Sequence, residues 1–167
     1  MLYPKLRSSE PVQGRIDNEE DYDAYMNDAP DQEPLVCPDC DNVYRNKQWY
    51  LPEQVDQDEL GDAESYVCPG CKKIRDGYYY GELTMKGDFM QDHTEEISNM
   101  IENEVERVQE DNPLSKLVQI DHDDDTVYVR TTNYKLAEHL GRSLYRAFEG
   151  DLDMDRSEYI NRVHWER

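Results

Sequence analysis

The chain carries four cysteines, Cys37, Cys40, Cys68 and Cys71, arranged as two C-P-x-C pairs. A tetrahedral zinc ion takes such thiolates with two-residue gaps inside each half-site and a longer stretch between them. Proline after the first cysteine fixes φ, and Gly70 offers the second turn a residue free to take a positive φ. The spacing predicts one structural zinc whose four positions are all filled by protein, leaving none open for hydrolysis. Two disulfides would suit a secreted chain, but Lys5, Arg7 and then acidic residues open the sequence, with no apolar signal segment. A redox C-x-x-C needs one motif at a strand–helix junction, not two turns flanked by short strands. The metal is expected to hold together a segment too small and polar to fold alone.

Composition limits the rest. Only 37% of the 167 residues are hydrophobic, so the core is small. The net charge is −21, and the acidic excess is spread as −6, −5 and −10 over residues 1–36, 37–90 and 91–167. A chain of this charge is repelled on average by nucleic acid and by anionic membranes. Adaptation to a salt-rich cytoplasm is one reading of it. No run approaches eighteen apolar residues, so no membrane span is predicted and the expected setting is cytoplasmic. There is no Gly-rich phosphate loop, Ser-His-Asp set or nucleophile elbow, so neither an enzyme nor a small-molecule substrate is expected. His122, inside the run Asp121–Asp125, is read as part of a charged hairpin tip, with cation binding the alternative.

Three segments follow. Residues 1–34 lack periodicity and read as an acidic mobile arm, or as a docking peptide anchored by Tyr22, Tyr25 and Met26. Residues 35–90 read as a zinc ribbon, with a hairpin around Asn46-Lys47 and strands before the second cysteine pair and at Glu82–Met85. Here Lys72, Lys73 and Arg75, followed by Tyr78, Tyr79 and Tyr80 and then Lys86, reverse the acidity locally. Cations beside aromatic rings suit RNA phosphates and unstacked bases, with Tyr78 and Tyr80 sharing one face. The competing reading is that the tyrosines cover the ribbon and the cations are solvated.

From residue 91 the hydrophobic period becomes helical. Ile97, Met100, Ile101, Val105 and Val108 share one helix face, with capping-box spacing at Asp92 and Glu95. Leu136, Leu140 and Leu144 share another on a helix that starts near Asn133 and stops at Gly150. Strands are predicted at Leu117–Ile120, Thr126–Arg130, Leu152–Met154 and Tyr159–Trp165. The expected fold is α+β: a four-cysteine zinc ribbon, then an α-β-β-α-β-β domain over 91–167 with two helices on a four-stranded, mainly antiparallel sheet.

The two C-P-x-C pairs, Ile74-Arg75-Asp76-Gly77-Tyr78, the Leu83–Phe89 segment, His93 with the helix after it, and Arg162-Val163-His164-Trp165 together resemble a family of short bacterial zinc-ribbon proteins. That family looks related to the archaeal and eukaryotic export adaptor of the large ribosomal subunit, nonsense-mediated decay protein three. The resemblance implies a non-enzymatic factor that docks on ribosomes or ribosomal RNA through its zinc module, with the four cysteines as ligands. The alternative is an acidic adaptor, or nucleic-acid mimic, that binds a basic protein through its arm and surface.

Overall fold

A computed structural model describes residues 24–26, 31–157 and 160–167. The chain forms a small sheet beside the cysteines and a larger sheet carrying the helices.

The small sheet has the order β3-β2-β1-β4 and is built from β1 (Leu35–Val36), β2 (Val43–Arg45), β3 (Gln48–Tyr50) and β4 (Glu64–Ser65). β2 and β3 form the hairpin expected around Asn46-Lys47, and both turn residues take positive φ, 51° and 61°. Such a turn matches the twist of the flanking strands. The Glu33 carboxylate accepts from both turn N–H groups, at 2.7 and 3.0 Å, which steadies an otherwise unfavourable conformation.

Helix α1 (Pro69–Asp76) occupies the stretch after Cys68 where the sequence suggested a turn leading into a strand. Proline stands at its first position, the Cys68 sulfur caps its N-terminus, and Gly77 closes it in the left-handed region. Gly70 therefore does not supply the positive φ expected of it. Its missing side chain serves packing, since a Cβ there would stand 2.9 Å from the Leu114 carbonyl.

The larger sheet runs β6-β7-β5-β9-β8, formed by β5 (Gly81–Lys86), β6 (Leu117–Asp123), β7 (Thr126–Thr131), β8 (Asp151–Arg156) and β9 (Asn161–Glu166). It has five strands rather than the expected four. The extra strand is β5, which was expected beside the ribbon and instead lies at the centre, antiparallel to β7 and parallel to β9. The physical reason is burial: Leu83 and Met85 need a covered face, and only the larger sheet has helices to supply one. After β5 come α2 (Asp88–Asp92) and α3 (Thr94–Asp111), and α4 (Tyr134–Phe148) follows β7. From α3 onward the α-β-β-α-β-β order is as expected. The capping box is not formed, because His93 separates α2 from α3 and offers no side-chain cap.

α4 packs over β5 and β9, and α3 packs against α4. Leu83, Val129, Leu136, Leu140, Leu144 and Val163 are fully buried between these layers. On the opposite face, Ile74 of α1 meets Tyr79, Val118 and Ile160 at one end of the sheet. Polar ties also join the two parts. Asn42 donates to the Pro113 carbonyl (3.1 Å), Gln54 to that of Glu110 (2.9 Å) and Lys73 to that of Thr132 (3.1 Å). No helix among the described residues is long and apolar enough to cross a membrane.

Candidate metal centre

Folding brings the two cysteine pairs together from separate elements. Cys37 and Cys40 follow β1 in a tight turn, where Asp41 takes the left-handed conformation at φ 61° and its N–H reaches the Cys37 carbonyl at 2.9 Å. Cys68 and Cys71 lie on the first turn of α1. All four sulfurs fall within 4.8 Å of one another. The Cys40 and Cys68 sulfurs are 3.7 Å apart, close to the ~3.8 Å edge of a tetrahedron with ~2.3 Å metal–sulfur bonds. None of the four is in a disulfide.

The surroundings fit a cation held by thiolates. The Cys68 N–H donates to the Cys37 sulfur at 3.3 Å and the Cys71 N–H to the Cys68 sulfur at 3.4 Å. Such bonds orient ligands and stabilise negative sulfur. Trp49, Tyr66, Val67 and Leu114 form an apolar shell, and Cys37, Cys68 and Cys71 are buried. Contacts from Cys40, Cys68 and Cys71 hold the Cys37 thiol far below its ordinary value. Cys68 and Cys71 are pushed well up by their contacts with Cys37 and Cys40. Four clustered thiols cannot all ionise alone, whereas a cation at their centre would accept all four as thiolates. Cys37, Cys40, Cys68 and Cys71 are positioned to hold a metal ion, and among the described residues no other cluster of metal-binding side chains forms. His122 and its aspartates do not converge in this way.

Most of the residues expected to meet RNA have partners within the chain. Lys72 donates to the Tyr66 hydroxyl at 2.6 Å and lies over that ring. Lys73 is 5% exposed, bonded to the Thr132 carbonyl and set 4.7 Å from the Tyr80 ring centre. Arg75 makes a two-pronged pair with Asp39, at 2.8 and 2.6 Å, which ties α1 to the first cysteine turn. Tyr78 and Tyr80 meet edge-on at 5.0 Å, while Tyr79 is buried. The tyrosines therefore alternate as expected, but Tyr25 packs on Tyr78 at 5.2 Å and donates to Asp76 at 2.9 Å. Lys86 is exposed at the far end of β5, roughly 17 Å along the strand from Gly81. Tyr22 and the rest of the expected mobile arm, residues 1–23 and 27–30, lie outside the described residues.

Two buried polar clusters were not anticipated. Glu104 of α3 meets His139 (2.5 Å) and Ser143 (3.2 Å) of α4. Glu138 accepts from Arg142, Arg156 and Asn161, fastening α4 to β8 and β9. A glutamate on the apolar face of a helix is the only sign of either in the sequence. No protein-family model, curated protein or solved structure matches the chain.

Proposed function

We propose that the protein is a non-enzymatic factor stapled by one structural zinc, and that it acts as an acidic adaptor for a basic protein partner. Zinc is the reading that four clustered cysteine sulfurs, three of them buried, support best, and metal analysis of purified protein tests it. A reducing cytoplasm, where such thiols persist unpaired, is the setting this reading supposes.

The observation that carries the adaptor reading is the internal commitment of Lys72, Lys73 and Arg75, the cations on which RNA binding through the ribbon would rest. With those cations engaged, a net charge of −21 steers basic surfaces toward the chain and repels phosphate. Docking on ribosomes, implied by the resemblance to the short zinc-ribbon family and its export-adaptor relative, is the second reading. Its support is the aromatic set Tyr78 and Tyr80 beside Lys73. Sedimentation of tagged protein through sucrose, with and without ribonuclease, separates the two. A light complex of protein alone, indifferent to ribonuclease, is expected. Co-migration with ribosomal subunits that ribonuclease abolishes would establish the second reading instead.

A further inference from the structure

The helical layer does not cover the whole sheet. α4 sits over β5 and β9, and α3 packs on α4 rather than closely on β6 or β7. A groove of about 230 Å³ lies between the β6–β7 hairpin on one side and α2 and α3 on the other. Ile97, Ile101 and Val127 line its floor. Val127 is only half-buried, although its neighbour on the same face, Val129, is wholly enclosed. Glu102 of α3 and His122, Asp124 and Asp125 of the hairpin stand on the wall with Gln91, Thr94 and Ser98, and no lysine or arginine among the described residues lines it.

Size and charge together define the occupant. Small-molecule sites usually enclose about 300–1,000 Å³, so a groove of about 230 Å³ suits one or two apolar side chains instead. Carboxylates around an apolar floor complement a segment whose apolar anchor is flanked by lysine or arginine, the mode in which an amphipathic helix enters a groove. A second copy of the chain would bring its own −21 against the same carboxylates. We infer that the groove between α3 and the β6–β7 hairpin docks a basic amphipathic segment of a partner protein. This rests on the adaptor reading and gives it a location.

The test uses the zinc-loaded full chain and a labelled sixteen-residue peptide of leucine and lysine with helical amphipathic spacing. Anisotropy gives affinity at physiological salt, and methyl resonances of Ile97, Ile101 and Val127 report the place. Binding should shift those methyls, and replacing the peptide's leucines by serine should weaken it tenfold or more. Ser98→Phe, which fills the groove from an exposed position on α3, and Glu102→Lys with Asp125→Lys should each weaken it at least tenfold. Asp151→Lys with Asp153→Lys on β8, equal in charge change but outside the groove, should change it less than threefold. Equal losses from the two charge-reversed pairs, or full affinity in the Ser98→Phe protein, would overturn the groove while leaving the adaptor reading standing. Absence of any peptide binding would overturn both. A concentration-dependent dimer whose formation shifts the same methyls would assign the groove to a second copy and overturn the basic-partner assignment.

Discussion

Replacing Lys73 with alanine should destabilise the protein by about 2–4 kcal/mol, far more than the same change at a surface lysine. Lys73 is 5% exposed, its ammonium donates to the Thr132 carbonyl at 3.1 Å, and the Tyr80 and Tyr25 rings lie 4.7 and 5.8 Å away. A hydrogen bond from a charged donor contributes about 1.5–3 kcal/mol. A desolvated cation over an aromatic face adds about 0.5–2 kcal/mol. Truncation removes both and takes the donor from a buried carbonyl. It also lifts the cost of burying the ammonium, which offsets part of the loss. Urea unfolding of zinc-loaded protein, followed by Trp49 and Trp165 fluorescence, measures the difference. Lys72→Ala and Arg75→Ala, at half-buried and exposed positions, should shift the midpoint much less. If Lys73→Ala costs under about 0.5 kcal/mol, below the error usual for such extrapolations, its ammonium is in solvent and the docking surface first expected there returns.

Chelating the metal, or Cys40→Ser, should collapse amide dispersion over residues 35–76 while β5 to β9 keep theirs; unchanged spectra over 35–76 would refute the staple. Glu104 is held below the ordinary carboxylate range: burial pushes it up, but its bonds to His139 and Ser143 and the nearby Arg107 pull it down further. Its contribution is thus fully present above that range and lost as pH falls through the folded value, so Glu104→Gln should flatten the acid limb of the stability profile. Gly141→Ala should destabilise by about 1–3 kcal/mol less the ~1 kcal/mol of helix propensity gained, because its Cβ would stand 2.4 Å from Val163 Cγ1. In a Val163→Ala background the same change should stabilise, and a double-mutant cycle by denaturation checks the coupling.

The metal centre was legible because ligand chemistry imposes a spacing that survives without knowledge of the fold. The α3 and α4 faces and the β6–β7 hairpin were legible for a related reason, since their apolar positions repeat with the period of the element. Glu82–Met85 was recognised as a strand but not as part of the central one, Gly81–Lys86, because a short apolar run does not say which sheet will cover it. α1 was missed since Pro69, Gly70 and a metal-site cysteine read as turn chemistry until the Cys68 sulfur is seen as a cap. The cation–tyrosine segment stayed open between two readings for a third reason. Composition reports charge along the chain, but whether a lysine faces solvent or a carbonyl from residue 132 depends on a contact 59 positions away.

The contacts of Lys73 point to how the chain uses its cations. With 18 basic residues against 39 acidic ones, many of the basic side chains serve as internal ties. Arg75 joins the cysteine turns, Arg130 bridges Glu82 and Asp121 across three strands, and Arg156 fastens β8 to Glu138 of α4. Each tie neutralises a carboxylate where the fold needs it and leaves the surplus acids on the exterior. A metal ion held by the four cysteines would do the same for the small sheet, whose two- and three-residue strands bury too little to stand alone. Pairing cations with the carboxylates the fold needs, while acids outnumber bases two to one, explains how one chain can be both folded and strongly anionic. For the proposed basic partner the same charge balance predicts a kinetic signature. Long-range attraction for a basic segment should set an association rate that falls with salt, while the apolar anchor in the groove sets the dissociation rate and is largely indifferent to salt.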